Sequence, residues 1–335
     1  MYRKIMGFLE AWKENEHRKP LILQGARQVG KTYSILEFGR THYENVAYFN
    51  FETNPKLNET FEENISPDYL IPILSHIAGQ TIVKEKTLIV FDEIQLCERA
   101  LTSLKYFCED APDYHIIVAG SLLGVAVNRA KFSFPVGKVD MKTLYPMDME
   151  EFMIAMGESD LAEQIKKCFE TNQPMPAALH DAAMQLYRQY LVVGGMPECV
   201  MQFVQTRDYI LIRHTQDTIL ASYLNDMSKY NNLNEIKKTR LAYDNITVQL
   251  SKKNTRFQYK LIKKGGRASE FENAIEWLCL SGIVSQVYRV EQIKKPLENY
   301  RDIDAFKIYV SDLGLLCAKK DLVANDILYM VEELN

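Results

Sequence analysis

The segment Gly25-Ala26-Arg27-Gln28-Val29-Gly30-Lys31-Thr32 decides how this sequence is interpreted. It fits the pattern G-x-x-x-x-G-K-[ST] at every defined position, and it follows the short apolar run at residues 21–23. The two glycines let the backbone turn so that consecutive N–H groups face a polyphosphate. The lysine reaches the β- and γ-phosphates, and the threonine hydroxyl ligates Mg²⁺. The pattern therefore predicts a phosphate-binding loop between a strand and a helix.

The predicted nucleotide site extends from this loop into the residues after it. Residues 33–40 are predicted to form a helix whose N-terminal dipole favours anionic phosphate. Lys31, which would hold the β- and γ-phosphates, is also a predicted catalytic residue. The predicted nucleotide contacts are Gly25, Ala26, Arg27, Gln28, Val29, Gly30, Lys31, Thr32 and Tyr33.

Three further apolar runs follow the loop, at residues 46–51, 87–91 and 115–119. Short apolar runs separated by helix-length segments are typical of parallel strands buried on both faces of a sheet. The connections are long enough for right-handed crossovers. Residues 1–145 are therefore predicted to form an α/β domain, a P-loop NTPase core with a parallel sheet.

Two acidic residues, Asp92 and Glu93, directly follow the second of these runs. Paired carboxylates at the carboxyl end of a strand mark the edge where open α/β sheets bind ligands. Asp92 is predicted to hold Mg²⁺, directly or through water. Glu93 is the predicted general base that polarises the attacking water.

The third run ends in Gly120-Ser121. Ser121 could sense the γ-phosphate or orient the water, and it is a predicted catalytic residue. It could instead cap a helix that starts just after it, and the two roles could coexist. The chain contains no N-K-x-D guanine signature, which favours ATP over GTP.

The composition is that of an ordinary globular protein of about two domains. The chain has 335 residues, 47% of them hydrophobic and 25% charged, with a net charge of −4 that argues against a wholly basic nucleic-acid binder. The longest charge-free stretch, residues 116–128, is too short to span a bilayer, and no signal peptide is recognisable. Six scattered cysteines without a C-x-x-C pattern indicate reduced thiols and a cytoplasmic location.

The pattern changes after Tyr145. Residues 146–230 have helical spacing, which predicts a helical domain. From Lys237 to Arg267 the chain has ten basic residues and one acidic residue, a net charge of +9. A predicted helix at residues 268–281 and two strand-like segments follow, so residues 231–335 are predicted to form a basic winged-helix-like domain. This segment could bind duplex DNA, dock a protein partner, or be an ordinary solvated face.

Several motifs together resemble one group of prokaryotic AAA-superfamily ATPases whose carboxyl half is a domain of unknown function. The resemblance covers nearly the whole chain. Besides the phosphate loop, it is carried by residues 47–52, 91–95, 119–123, 133–139, 145–147, 151–152, 190–198 and 308–316.

The resemblance implies an ASCE-type P-loop core, an α-helical lid and a winged-helix unit. Relatives usually continue into a nuclease-like domain with Glu-Val-Asp and Glu-Val-Lys patterns. Neither pattern occurs in these residues, so nuclease activity is not expected. Some relatives have Gly-Arg where this chain has Gly137-Lys138, and a lysine is a point charge rather than a bidentate fork. Lys138 and Arg129 are therefore weak candidates for stabilising the transition state, and both could be ordinary surface cations.

The sequence thus predicts a Mg²⁺-dependent ATPase of slow turnover, whose nucleotide state moves the lid and the winged-helix unit. The alternative is a nucleotide-regulated DNA- or protein-binding switch with little hydrolysis. The sequence leaves the oligomeric state open.

Overall fold

The computed structural model describes residues 1–120, 134–229, 233–252 and 256–329. The chain divides into two compact units. The N-terminal unit is Arg3–Tyr145, and the C-terminal unit is Pro146–Asn335 together with Met1–Tyr2. Ser121, Arg129 and Lys253 lie outside the described residues.

The N-terminal unit is built on a five-stranded sheet whose order is β2-β3-β4-β1-β5. All neighbouring strands pair in parallel. The strands are β1 (Leu21–Gln24), β2 (Asn45–Asn50), β3 (Thr87–Asp92), β4 (His115–Gly120) and β5 (Asp140–Thr143). The helices are α1 (Ile5–Glu14), α2 (Lys31–His42), α3 (Lys56–Glu63), α4 (Pro67–Ala78) and α5 (Glu98–Asp110).

The predicted parallel sheet is confirmed. Every residue of β3 and β4 is buried, which explains why both strands are apolar on each face rather than alternating. Four aromatic rings pack beside them with centroids 5.6–5.9 Å apart. These rings belong to Phe49, Phe51, Phe61 and Phe91.

Strand order places the functional loops at one edge of the sheet. β4 lies between β1 and β3, and the strands run in the same direction. Asn50 is in register with Asp92, and Gln24 is in register with Gly120. The residues that follow β1, β3 and β4 therefore leave the sheet at the same edge.

The C-terminal unit is mostly helical, as predicted for the first part of this region. Its first helices are α6 (Met149–Ala155), α7 (Ser159–Thr171), α8 (Ala177–Val193), α9 (Pro197–Thr206), α10 (Tyr209–Lys229) and α11 (Leu233–Leu250). The remaining elements are α12 (Tyr259–Ile262), α13 (Ala268–Leu280), β6 (Val284–Val290), β7 (Arg301–Val310), α14 (Leu313–Lys319) and α15 (Ala324–Leu328). β6 and β7 form an antiparallel hairpin, and α11 packs on α13.

A buried carboxylate ties together two distant turns of this unit. Asp312 caps α14 by accepting a hydrogen bond from Leu315 N at 2.8 Å, and it also accepts one from Gly195 N at 2.6 Å. A Cβ on Gly195 would lie 1.9 Å from the carbonyl oxygen of Met147, so this position requires glycine. Gly194-Gly195 is therefore a structural turn.

Within the described ranges, none of the helices has the length and apolar character needed to cross a membrane.

Candidate functional site

The phosphate loop connects β1 to α2 and is closely packed at its first glycine. A Cβ on Gly25 would lie 2.1 Å from the carbonyl oxygen of Leu144, and φ at this residue is 146°. Leu144 N donates to Gln24 O at 2.8 Å, which holds this neighbouring segment in place. Gly30 adopts a left-handed conformation, with φ of 91°, at the N-terminus of α2. Both glycines of the motif thus have a conformational or steric role.

A buried arginine supports the loop from the amino-terminal segment. Arg3 Nη1 donates to Val29 O at 2.9 Å, and Nη2 donates to Tyr145 O at 2.8 Å. The guanidinium therefore joins the phosphate loop to the end of the N-terminal unit. Sequence reasoning did not identify Arg3, and no local motif distinguishes it from other arginines near a chain terminus.

Lys31 folds back onto the loop. Its Nζ donates to Gly25 O at 2.9 Å and to Ala26 O at 2.7 Å. Burial lowers the pKa of Lys31 to about 8, while the nearby carboxylates of Glu93 and Asp92 act in the opposite direction. The ammonium is therefore mostly protonated at pH 7, and it can exchange the loop carbonyls for phosphate oxygens.

Thr32 and Asp92 come together from different parts of the chain. Thr32 Oγ1 donates to Asp92 Oδ2 at 2.9 Å, which links the start of α2 to the end of β3. A hydroxyl and a carboxylate are hard oxygen ligands, and Mg²⁺ is commonly bound by one or two such groups together with substrate phosphates and water. These two residues therefore fit a magnesium ion. Across the described part of the chain, no cluster of three or more His, Cys, Asp or Glu side chains could hold a metal ion.

Glu93 follows Asp92 in a left-handed conformation, with φ of 53°. It is half-buried, and Gln95 Nε2 donates to its Oε2 atom. Burial raises the pKa of Glu93, and the charge of Asp92 adds to this effect. A raised pKa makes a carboxylate a better proton acceptor near neutral pH, which suits a general base.

Two residues of the site were not predicted from the sequence. Tyr48 OH donates to Asp92 Oδ2 at 2.7 Å, and Gln95 contacts Glu93 as described above. Tyr48 lies on β2, and only the strand register brings it next to Asp92. Burial raises the pKa of Tyr48 to about 12, so the phenol keeps its proton and remains a donor. Gln95 stands two residues after Glu93, and this short spacing is the only feature of the sequence that could have indicated its contact with Glu93.

The other predicted site residues have varied environments. Ala26 and Val29 are buried, Arg27 is half-buried, and Gln28 and Tyr33 are exposed. Tyr33 has 56% of its surface accessible on the first turn of α2. The side chain of Tyr33 is therefore accessible, whereas that of Val29 is not.

Among the candidates for stabilising charge in the transition state, Lys138 forms an ion pair with Glu109, with Nζ and Oε1 2.9 Å apart. This contact raises the pKa of Lys138. Ser121, the predicted γ-phosphate sensor, and Arg129 lie outside the described residues.

In the basic segment, residues 237–267, some cations are paired with carboxylates and others are exposed to solvent. Lys238 pairs with Glu235 and Lys263 pairs with Glu270, at 2.9 and 3.1 Å. The other exposed cations among the described residues of this segment are Lys237, Arg240, Lys252, Arg256, Lys260, Lys264 and Arg267. The helix that follows, α13, exposes Glu272 and Glu276. A helix face with two exposed carboxylates repels a phosphate backbone, so the charge excess does not extend onto α13.

The parallel sheet, the phosphate loop and the acidic strand end define the N-terminal unit as a P-loop α/β domain. Residues 17–153 match the family described as "AAA domain", and residues 184–326 match a "Domain of unknown function (DUF8612)". The chain therefore contains an AAA domain followed by a carboxyl-terminal domain of unknown function.

The chain can be superposed on solved structures of other proteins. A Walker-type ATPase of Pyrococcus abyssi superposes with a TM-score of 0.56 at 14% identity, covering 95% of each chain. The ORC2 protein of Aeropyrum pernix superposes with a TM-score of 0.44 at 11% identity, covering 98% of this chain and 94% of that one. No curated protein sequence matches the chain. The likeness to the Pyrococcus protein is one of fold, because the identity is low.

Proposed function

We propose that this protein binds ATP with Mg²⁺ and hydrolyses it in the N-terminal unit. The observation that carries the proposal is the hydrogen bond of 2.9 Å between Thr32 and Asp92. It brings a phosphate loop and an acidic strand end, which are 60 residues apart, into one site. A surface turn that matched the motif by chance would have no reason to meet a carboxylate in this way.

Each residue has a role in the proposed reaction. Lys31 holds the β- and γ-phosphates, and Thr32 and Asp92 hold Mg²⁺, which would neutralise charge on the phosphate oxygens. Glu93 takes a proton from the attacking water, and Gln95 holds the Glu93 carboxylate in place. Residues 25–30 orient backbone N–H groups toward the phosphates. Ser121 remains a proposed sensor of the γ-phosphate.

Turnover is proposed to be slow. An arginine that contacts the transferring phosphate increases phosphoryl-transfer rates by about 10³–10⁵. Lys138, the corresponding candidate in the described residues, is engaged with Glu109. A lysine also lacks the bidentate geometry of a guanidinium. We therefore expect ATP to bind at the site and to be hydrolysed slowly.

Single-turnover hydrolysis by a Glu93→Gln variant tests the proposal. Removal of a general base is expected to slow the chemical step by about 10²–10⁴-fold. Glu16→Gln is the matched control, because Glu16 is an exposed glutamate of the same unit outside the site. If wild type, Glu93→Gln and Glu16→Gln hydrolyse ATP at the same slow rate, the enzyme proposal fails.

A second candidate function is a nucleotide-regulated binding switch with little hydrolysis. It is favoured by the exposed cations between Lys237 and Arg267 in the described residues. The order of α11, α12, α13 and the β6–β7 hairpin supports a winged-helix-like domain, with Phe257 N donating to Phe306 O at 2.8 Å beside the hairpin. In this proposal, residues 146–230 form a lid, and ATP moves the lid and residues 231–335.

The partner of that switch could be duplex DNA or a protein. A variant with Lys252→Glu, Lys260→Glu and Lys264→Glu is expected to bind duplex DNA more weakly and with a flatter salt dependence. The control changes Lys166 and Lys167, which lie on α7 outside the basic segment, to Glu. No measurable binding of a DNA duplex by wild type at low salt would exclude DNA. We also propose a cytoplasmic location, on the basis of the scattered cysteines.

A further inference from the structure

The carboxylate of Asp92 receives three hydrogen bonds from the described residues. Oδ2 accepts from Thr32 Oγ1 at 2.9 Å and from Tyr48 OH at 2.7 Å. Oδ1 accepts from Glu93 N at 3.0 Å. An ionised carboxylate has about four acceptor positions, so one remains for a metal ion or a metal-bound water. The hydrogen bonds of the protein therefore fix which acceptor position of the Asp92 carboxylate can face a metal ion.

The Tyr48 hydroxyl is itself oriented by the protein. Asn50 Nδ2 donates to the phenol oxygen at 3.2 Å, so the phenol proton is left to point toward Asp92. Tyr48 and Asn50 are two residues apart on β2 and lie on the same face of the strand. Asn50 is in register with Asp92, which places both side chains beside the carboxylate. Strand β2 thus supplies both the phenol and the amide that orients it.

We propose that Tyr48 is a positioning residue of the magnesium site. Its hydroxyl holds the Asp92 carboxylate in the orientation in which Asp92 and Thr32 face the same metal ion. The inference rests on the proposed Mg²⁺–nucleotide function of this site. Partners that orient a metal ligand typically contribute 10–100-fold to metal affinity, which sets the size of the expected effect.

Tyr48→Phe removes this hydroxyl with little risk to the fold. Tyr48 has 38% of its surface accessible, so the loss of one oxygen leaves no enclosed cavity. The matched control is Tyr69→Phe, which removes a phenol that also donates to a carboxylate, that of Glu63, in the same unit. Both variants lose one phenol-to-carboxylate hydrogen bond, but only Tyr48→Phe changes the surroundings of Asp92.

The experiment measures the affinity of a fluorescent ADP analogue in EDTA and across a Mg²⁺ titration. For Tyr48→Phe, we expect the half-saturating Mg²⁺ concentration to rise about tenfold, with no change in affinity in EDTA. Tyr69→Phe is expected to match wild type in both measurements. A thermal unfolding curve of each variant identifies any general loss of structure.

Three results would overturn the inference. In the first, Tyr48→Phe has the same Mg²⁺ dependence as wild type. In the second, Tyr48→Phe loses affinity in EDTA as well and unfolds at a lower temperature, which would indicate a structural role. In the third, wild type binds the analogue equally well with and without Mg²⁺. Failure of wild type to bind the analogue under any condition would instead refute the proposed nucleotide function, and this inference would fall with it.

Discussion

Replacing Gly25 with alanine tests whether the phosphate loop requires its observed shape. The added Cβ would lie 2.1 Å from the carbonyl oxygen of Leu144 and 3.2 Å from its carbonyl carbon. The obstacle is backbone, and Leu144 is held by a hydrogen bond of 2.8 Å from its N to Gln24 O. The loop and the 144 segment cannot separate without breaking the pairing of β1 and β5 at that end.

Two effects contribute to the expected loss. Forcing an extra methyl group into a packed position costs about 1–3 kcal/mol. Holding a residue with a side chain in a sparsely populated backbone conformation, here at a φ of 146°, adds about 1–3 kcal/mol. Gly25→Ala should therefore lose about 2–6 kcal/mol, divided between the free energy of unfolding and the free energy of nucleotide binding. A change of 4 kcal/mol in binding corresponds to about 10³-fold in affinity.

Urea unfolding and titration with a fluorescent ADP analogue measure these two quantities. Gly137→Ala is the matched control in the same unit, because Gly137 has a φ of 73° but none of the described residues has an atom within 4 Å of its added Cβ. It carries the conformational cost of about 1–2 kcal/mol without the collision. If Gly25→Ala and Gly137→Ala lose the same free energy in both assays, the steric argument is wrong.

Three further variants test other parts of the structure. Lys31→Ala should abolish ATP binding measured by calorimetry, and an unchanged affinity would contradict the assignment of the phosphate loop. Gly195→Ala should unfold at a much lower urea concentration than Gly157→Ala, because a Cβ added at Gly157 would meet open space. Equal unfolding midpoints for the two variants would contradict the packing argument. Burial raises the pKa of Asp312 to about 6 from an ordinary value of 3.8. Between about pH 4 and pH 6, Asp312 keeps its proton in the folded state but is ionised in the unfolded chain. The free energy of unfolding therefore falls as the pH rises through this range, and the contribution of Asp312 is constant above it. Wild type should lose up to about 3 kcal/mol relative to Asp312→Asn over that range, whereas a pH-independent difference would show that Asp312 titrates normally.

Much of the N-terminal unit could be predicted from the sequence because its strands are continuous apolar runs. β3 and β4 are buried on both faces, so their residues have no reason to alternate. β5 was not predicted. It is the edge strand beside β1, four residues long, and Met141 and Lys142 are exposed. An edge strand with exposed side chains has no apolar pattern that distinguishes it from a loop.

The C-terminal unit shows a different limit. Net charge can be counted from the sequence, and the excess of +9 from Lys237 to Arg267 is real. Counting does not show which charges are paired or which helix face they occupy. The pair of Lys263, which precedes α13, with Glu270 on that helix depends on the folded arrangement. The contact of Asp312 with Gly195 joins residues 117 positions apart, and no local pattern indicates such a pair.

The sequence by itself determined the class of site, because a phosphate loop and an acidic strand end are local patterns. Backbone freedom at Gly30, the charge of Lys31 and the position of Asp92 after an apolar run can all be recognised without coordinates. Only the tertiary structure decided how the carboxylate of Asp92 is held. Thr32 and Tyr48 reach it from other elements, and whether a side chain on one strand meets a side chain on the next depends on register. A shift of one residue in β2 would turn Tyr48 to the opposite face of the sheet, away from Asp92. The contact between Tyr48 and Asp92 therefore depends on the pairing of β2 with β3, which is a property of the whole fold.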